Sequence, residues 1–425
     1  MNLITLTDSY KLSHWKQYPE GTETIFSYME SRGGVYPATI FFGLQYYLKE
    51  YLSKPITAEN IDEAEAYARF HGVPFNREGW ERILTVHGGY IPIMINAVPE
   101  GQLYPTGEVL LTIQNTDSEL PWVTNWFETL LMKIWYPTTV ATKAYYVKEV
   151  IKGAYKKSSD SEYIDFQYHN FGDRGSTSVE AAMVGGMAHL TQFSGTDNFN
   201  AVIGLEKYYG VKKGWSIPAT EHSTVTSWGE MKEFMMIDNY LENNKGQPII
   251  ACVMDSYDIY SAVDFISDGG IKDKILSDDY PTFVIRPDSG NPLMIIPEIL
   301  AILSKNKIPY TLNSKGFKVL TKYRIIWGDG IDPKMIMQIL NLVISLGYSA
   351  ENIAFGSGGD LMQKVDRDTQ KFAIKCSAAK VKGEWRDVFK DPITDPGKKS
   401  KKGVLVSENL VTVFKNGVIT CNTEF

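Results

Sequence analysis

His222, one of only 6 histidines in the chain, stands in the run Pro218-Ala219-Thr220-Glu221-His222-Ser223-Thr224. An imidazole next to a carboxylate can serve as a nucleophile whose ring the carboxylate orients. The same pair also serves as a plain structural hydrogen bonder. Asp255 and Asp258 bring two carboxylates into one short segment. Such a pair can work as a glycosidase does, and either residue can instead cap the helix that follows. Arg286-Pro287-Asp288-Ser289-Gly290 sets a cation near an anion after an apolar stretch. Asp288 can there accept two hydrogen bonds from a ribose diol, or simply close a salt-bridged loop. Gly328-Asp329-Gly330 and Gly356-Ser357-Gly358-Gly359 let backbone N–H groups approach an anion, helped by the dipole of a following helix. Read singly, each is also an ordinary turn. His169-Asn170-Phe171-Gly172-Asp173-Arg174 joins an aromatic, a glycine and a cation. Phe171 can equally be core, and Arg174 a surface charge. Asp197 is suited to cap a helix. The Lys398–Lys402 run is either a solvated loop or a grip for diphosphate.

These residues need a frame to bring them together. Pro248–Val253, Thr282–Ile285, Arg324–Trp327 and Asn352–Phe355 are short apolar strands, and each runs into one of the polar segments. The last three recur every roughly 30 to 45 residues, the length of one βα unit. That repetition predicts a parallel β/α barrel or open sheet, with the polar segments gathered at the C-terminal ends of the strands. Earlier in the chain the pattern is irregular. Thr24–Glu30, Ile91–Ala97 and Glu108–Gln114 read as strands. Ile40–Leu52, Ile61–Phe70 and an amphipathic Leu120–Trp135 read as helices, the last with a Trp stripe suited to core or subunit interface. Past residue 380, hairpin turns are expected at Val381-Lys382-Gly383-Glu384 and at Asn416-Gly417. The expected fold class is therefore α/β. An irregular parallel β/α barrel domain spans 164–379, and a second, discontinuous α+β domain is built from 1–163 and 380–425.

Composition narrows the function classes. Of 425 residues, 44% are hydrophobic and 22% charged, which is ordinary globular usage and excludes a largely disordered or fibrous chain. A formal charge of −7 argues against nucleic acid or a membrane surface as partner, while a local basic patch can still hold phosphate. No apolar run reaches the roughly 18 residues of a membrane span. The start of the chain lacks the basic-then-apolar pattern of a secretory signal. The 3 cysteines, Cys252, Cys376 and Cys421, are widely spaced and odd in number, so neither a disulfide framework nor a zinc pattern is expected. A reducing, cytoplasmic setting follows as the expectation.

Taken in order, these segments resemble the nicotinamide phosphoribosyltransferases, within the type II phosphoribosyltransferase family. The resemblance runs from Asp8-Ser9-Tyr10-Lys11 to Phe414-Lys415-Asn416-Gly417. It includes Phe42-Gly43-Leu44-Gln45-Tyr46, Ala97-Val98-Pro99-Glu100-Gly101, Trp135-Tyr136-Pro137, Glu221-His222-Ser223-Thr224 and Asp255-Ser256-Tyr257-Asp258-Ile259-Tyr260 as well as the glycine loops. It implies a homodimer with active sites at the interface. The reaction joins nicotinamide to 5-phosphoribosyl 1-diphosphate, giving nicotinamide mononucleotide and diphosphate. Mg²⁺ accompanies the diphosphate, with no direct protein ligands expected, and ATP acts as co-substrate through a phosphorylated His222.

The resemblance also implies roles. Phe171 and Tyr10 of the partner subunit would stack on the pyridine ring. Asp197 would accept the carboxamide N–H, with Arg286 and Arg174 near the ring. Asp288 would hold ribose hydroxyls, while Glu221 and Asp258 would orient His222. Gly328, Asp329, Gly358 and Gly359 would receive the 5-phosphate and ribose, and Arg32, Arg367, Lys390 and Lys402 would surround phosphates. Three departures stand out. Asn170 replaces a usual Asp, Thr220 replaces a small Ala, and Met254 stands where vertebrate members carry a Ser lining the nicotinamide tunnel, so a narrowed tunnel is expected. The nearest rival is nicotinate phosphoribosyltransferase, against which Asp197 argues. More distant rivals are a barrel glycosidase or phosphosugar enzyme and a non-catalytic nucleotide-binding protein.

Overall fold

Two kinds of sheet divide the chain, one parallel and one antiparallel. The computed structural model describes residues 1–395 and 398–421. Its contacts separate Met1–Thr142, Gly204–Val211 and Val365–Phe425 as one unit from Lys143–Ile203 and Lys212–Lys364 as the other. The sequence-based boundaries lie at 163/164 and 379/380 and do not foresee the short 204–211 segment. Among the described residues no helix is long and apolar enough to cross a membrane.

The second unit is built on five parallel strands in the spatial order Tyr168–Asn170, Ile353–Ser357, Tyr323–Trp327, Thr282–Arg286, Ile249–Val253. Their residues alternate between two buried faces, as parallel sheets require. Ala251, Val284 and Ile326 form one cluster, against which Phe171, Ile217, Ile249 and Ala354 pack. Ile250, Phe283, Ile285, Ile325 and Phe355 are also buried. The sheet curls. Single parallel bridges carry it past both edges, from Asn170 to Thr196, from Gly195 to Trp215, and from Ala219 to Ala251. The ring of hydrogen-bonded neighbours thus closes through two irregular staves.

Helices return the chain between strands, and the sequence marks their starts. Asp258 caps Ile259–Ser267, Asn291 caps Pro292–Lys305, and Asp332 caps Pro333–Ser345, each through its side-chain oxygen. Pro292 and Pro333 occupy the first helical position, where a missing N–H costs nothing. The polar segments consequently sit between strand end and helix start.

In the first unit, both ends of the chain share one antiparallel sheet. Its order is Glu384–Asp387, Phe372–Val381, Thr22–Ser31, Val109–Asn115, Ile93–Ala97, Val411–Lys415, Val418–Ile419. The two expected hairpins turn through pairs of left-handed residues, Lys382-Gly383 at φ 53° and 80° and Asn416-Gly417 at φ 51° and 85°. Gly397, at one end of the basic loop, lies outside the described residues.

Two expected helices differ from the structure. Leu120–Trp135 is not one helix but Val123–Trp126 and Glu128–Met132, and Trp135 opens a separate helix to Ser158. Pro137 falls in the first turn of that long helix, where it breaks no intrahelical bond. Trp122 and Trp126 are core: with Trp80 they form a mutually edge-on trio, ring centroids 5.0, 5.0 and 5.3 Å apart. Ile40–Leu52 is likewise interrupted. Ala38–Ile40 is a strand, Gly43 turns the chain at φ 108°, and only Leu44–Tyr47 is α-helical before a π turn at Leu48–Leu52.

Candidate active site

The C-terminal ends of the parallel strands converge on Asp255, whose side chain is 6% exposed. Its Oδ2 accepts the backbone N–H of Asp288 at 2.9 Å and the Ser289 hydroxyl at 2.5 Å. Its Oδ1 lies 3.2 Å from Nε2 of His222. Nδ1 of His222 faces Asp288 Oδ2 at 4.0 Å, too far for a hydrogen bond. The ring is therefore held on one side and open on the other, with its side chain 47% exposed.

The expected orienting pair is Glu221 and Asp258. Among the described residues no hydrogen bond joins either carboxylate to the His222 ring, which Asp255 meets instead. The Asp258 carboxylate accepts from the N–H groups of Tyr260 and Ser261 and from the Ser261 hydroxyl, as a helix cap. Those bonds hold its carboxyl below the ordinary carboxylate range. Glu221 accepts from Ser223 and forms the capping box of the short helix that begins at His222. Asp255 was visible in the sequence as a carboxylate at a strand end, but its partner depends on which strands are neighbours.

A second group lies over the mouth of the curled sheet. The Phe171 ring rests on glycines. A Cβ at Gly356 would fall 1.9 Å from Phe171 Cε2, and one at Gly328 would fall 3.1 Å from it. The Arg286 guanidinium sits 5.1 Å from the ring centroid and reaches Asp288 Oδ1 at 3.4 Å. Its Nε is buried without a hydrogen-bond partner. Asp197 does not cap a helix; Asn198 does that instead. Asp197 Oδ1 accepts from His169 Nε2 at 3.0 Å and from the Ser216 hydroxyl at 2.6 Å. Burial pushes its pKa up, but the bonds from His169 and Ser216 and the charge of Arg286 prevail and hold it below the ordinary value. His169 and Ser216 were not singled out from the sequence.

Glycines and cations complete the site. Gly358 leaves room for the Phe171 carbonyl, which a Cβ would approach to 3.1 Å. Gly359 opens a helical turn, Gly359–Met362, whose first N–H groups lack intrahelical partners. Asp329 is exposed, and its carbonyl accepts from the Trp327 indole at 2.7 Å. Arg174 is exposed on the turn Asp173–Gly175. The departures have local explanations. Asn170 Oδ1 accepts the Gly172 N–H at 2.8 Å and shapes the turn beneath Phe171. Thr220 accepts the Val253 N–H at 2.8 Å, tying an irregular stave to a strand. Met254, expected to narrow a tunnel, is fully buried and does not line the 370 Å³ cavity inside the curled sheet, which His169, Ser216, Ile217, Val284 and Ile326 help to enclose.

The remaining predicted residues belong to the first unit. Tyr10 is 61% exposed, next to Lys11, which is buried against Glu128 at 2.6 Å. Arg32 is exposed, Arg367 is 57% exposed beside Asp368, and Lys402 lies 3.4 Å from Asp387. The backbone N–H of Lys390 donates to Ser400 at 2.9 Å. Lys375, on the strand Phe372–Val381, was missed. Burial lowers its pKa first, and repulsion from Arg32, Lys390 and Arg367 lowers it further against the pull of Glu128. Four cations thus share one neighbourhood. Among the described residues no group of three or more His, Cys, Asp or Glu is poised to hold a metal ion.

Comparison with known proteins places these features in context. Residues 166–418 match the nicotinate phosphoribosyltransferase (NAPRTase) family, and residues 2–95 match the nicotinamide phosphoribosyltransferase N-terminal domain. The nicotinamide phosphoribosyltransferase of Xanthomonas campestris is 48% identical over 95% of this chain and 87% of its own length. That of Acinetobacter baylyi is 31% identical over 95% and 88%. Among solved structures, the nicotinate-nucleotide pyrophosphorylase of Pyrococcus furiosus shares the fold with a TM-score of 0.59 at 16% identity, covering 99% of this chain and 92% of that one. Human nicotinic acid phosphoribosyltransferase gives 0.53 at 14%, covering 98% and 90%. With more than half its length matched and a relative near half-identical, the chain belongs to the nicotinate phosphoribosyltransferase (NAPRTase) family, among its nicotinamide phosphoribosyltransferases.

Proposed function

We infer that the chain transfers the 5-phosphoribosyl group of 5-phosphoribosyl 1-diphosphate to nicotinamide, a salvage step toward NAD. The carrying observation is the carboxylate of Asp197 beside the Phe171 platform, with one oxygen bonded to His169 and Ser216. A flat aromatic face suits a flat ring, and an acceptor suits an amide N–H. In the reaction the pyridine nitrogen's lone pair forms a bond to C1 of the ribose. The C1–O bond to diphosphate breaks, and its electron pair leaves with the diphosphate. The protein must hold nitrogen and C1 in line and stabilise charge on both sides. Asp288 is placed to hold ribose hydroxyls, its backbone fixed by Asp255. Gly328, Asp329, Gly358 and Gly359 receive the 5-phosphate region.

A homodimer completes the proposal. Tyr10 from a second copy covers the free face of the base, and Arg32, Arg367, Lys375, Lys390 and Lys402 supply positive charge to phosphates. The clustering of four of these cations supports that assignment. Arg174, exposed on its turn, is assigned to the ring region on the resemblance alone. Mg²⁺ would enter with the diphosphate and supply neutralising charge there, with no direct protein ligands assigned. His222 takes the phosphoryl group of ATP at Nδ1, which keeps its lone pair when Nε2–H donates to Asp255. Nδ1 forms the bond to phosphorus as the bond to the ADP oxygen breaks. A cytoplasmic location suits Cys252 and Cys376, both of them free thiols.

The test offers nicotinamide or nicotinate with phosphoribosyl diphosphate and Mg²⁺, with and without ATP, and measures mononucleotide. Nicotinamide should be used far better, and ATP should raise the yield. Equal or better use of nicotinate would overturn the substrate assignment. His222→Ala should abolish ATP hydrolysis and leave slow, ATP-independent product formation. Undiminished ATPase would remove the phosphohistidine.

A further inference from the structure

Asp197 is held by an unusual arrangement: both of its side-chain donors bond the same oxygen. His169 Nε2 and the Ser216 hydroxyl both reach Oδ1, at 3.0 and 2.6 Å. Among the described residues nothing donates to Oδ2. The anchors are set by backbone. His169 lies on the strand Tyr168–Asn170, Asp197 follows the bridge from Asn170 to Thr196, and Ser216 follows the bridge from Gly195 to Trp215. Three neighbouring staves each contribute one member, one residue from a bridge. The Asp197 N–H donates to the Asn170 carbonyl at 3.0 Å, and the Thr196 N–H to the Trp215 carbonyl at 2.9 Å. The His169 ring is confined as well. A Cβ at Gly195 would fall 2.4 Å from its Nδ1, so the ring occupies space that only glycine leaves. Its other neighbour is Phe171, 5.2 Å away between ring centroids.

A carboxylate on a short side chain rotates freely unless it is pinned. Two donors on separate oxygens would occupy part of each. Two on one oxygen fix the rotation and leave both lone-pair sites of the second oxygen open. We propose that His169 and Ser216 are specificity-positioning residues, which pin Asp197 Oδ1 so that Oδ2 is presented as an acceptor to an amide N–H of the base. A base bearing a carboxylate has no such donor to offer, so selection for the amide depends on the pin as well as on the charge. This rests on the transfer of phosphoribosyl to nicotinamide argued above.

The experiment measures kcat and KM for nicotinamide and nicotinate separately in the full-length protein and its variants. His169→Phe removes the donor and keeps a ring. His169→Gln keeps a donor, and Ser216→Ala changes an exposed residue and leaves the fold undisturbed. A hydrogen bond to a charged group is worth about tenfold or more in binding. The KM for nicotinamide should therefore rise about tenfold in His169→Phe and in Ser216→Ala with kcat changed far less. The preference for nicotinamide should fall by the same factor, and His169→Gln should recover most of it. In an Asp197→Ala background, where nothing is left to pin, neither change should move the preference further. A preference unchanged in Ser216→Ala and His169→Phe, equal losses in the Gln and Phe variants, or full additivity with Asp197→Ala would each overturn the proposal. In those outcomes the wild-type enzyme still turns over nicotinamide. A wild-type protein that uses neither base overturns the functional assignment, and this inference with it.

Discussion

Asp255 holds His222 from one side, its Oδ1 3.2 Å from the ring's Nε2, while its Oδ2 fixes the loop that carries Asp288. One buried carboxylate thus couples His222, the proposed phosphoryl acceptor, to the loop proposed to hold the ribose. Asp258, three residues further on, only caps a helix. Asp255→Asn should therefore reduce ATP hydrolysis and its stimulation of transfer by about a hundredfold, the low end of what a positioned acid–base group contributes. Asp258→Ala should leave ATP hydrolysis within a few-fold and cost about 1 kcal/mol of stability, as lost caps do. Steady-state ATPase and thermal unfolding of the two variants check this. Equal catalytic loss in both would return the orienting role to Asp258.

Asp197→Asn should reverse the preference between bases. His169 and Ser216 both donate to Oδ1, so an Asn keeps its carbonyl oxygen there and turns its NH₂ toward the base. Nicotinate's carboxylate would then meet a donor in place of a charge. Two like charges ~4 Å apart at an effective dielectric of ~20 repel by roughly 4 kcal/mol. Since each ~1.4 kcal/mol is tenfold, relief of that repulsion can approach ~10³ in relative use. Competition between the two bases, read as the mononucleotides formed, measures it. No gain in relative nicotinate use would count against the charge as a filter.

What the sequence made legible is what depends on near neighbours. The Lys382-Gly383 and Asn416-Gly417 turns, the helix cap offered by the Asp255–Asp258 segment, and the four strands ending in polar runs all follow from residues a few positions apart. The misjudged helix at Leu120–Trp135 shows the limit of periodicity: apolar spacing continues across the breaks near Phe127 and Lys133, and Pro137 suggests a stop where it in fact sits in the first turn of a longer helix. The partners of His222 and Asp197 depend on strand order, which local pattern does not encode. Asp255 reaches His222 only because Ile249–Val253 lies beside Ala219. Lys375 carries no motif at all; only the fold sets it among Arg32, Lys390 and Arg367.

The first unit carries an acid-sensitive latch at Asp117, whose side chain is 8% exposed. Burial alone would raise its pKa. Bonds from Arg82 at 2.8 and 3.2 Å, from His87 at 2.7 Å and from the Glu119 N–H at 3.0 Å outweigh that. They lower it from the ordinary 3.8 to about 2. A carboxyl whose folded pKa lies below its unfolded value stabilises the fold above the unfolded pKa, and that contribution fades as pH falls through the folded one. With Arg82 39% exposed, solvent screening reduces the effect to roughly 1–2 kcal/mol. Asp117→Asn should accordingly be less stable than the wild type at pH 6, with the gap narrowing from about pH 4 down to pH 2. Urea unfolding across that range tests it; a gap independent of pH would show that the carboxylate's charge is not what matters.

The glycines beneath Phe171 give a graded test of its proposed role as a platform for the base. Adding a Cβ at Gly356 places a carbon 1.9, 2.3 and 2.7 Å from three atoms of the Phe171 ring, whereas the same change at Gly328 brings it no closer than 3.1 Å. The first clash cannot be absorbed by a shift of a few tenths of an ångström, so Gly356→Ala must evict the ring. Phe171 is only partly buried, which lets it swing out without unfolding the curled sheet. Gly356→Ala should therefore raise the KM for nicotinamide by about a hundredfold, the scale of losing an aromatic contact together with the ordered face it presents. Gly328→Ala should raise it only a few-fold, through a small tilt of the same ring. Thermal unfolding of Gly328→Ala should stay near that of the wild type, while Gly356→Ala should lose some stability, because Phe171 packs on the Ala251, Val284 and Ile326 cluster. Equal KM values for Gly356→Ala and the wild type would mean that Phe171 does not support the base, whatever its position over the strand ends.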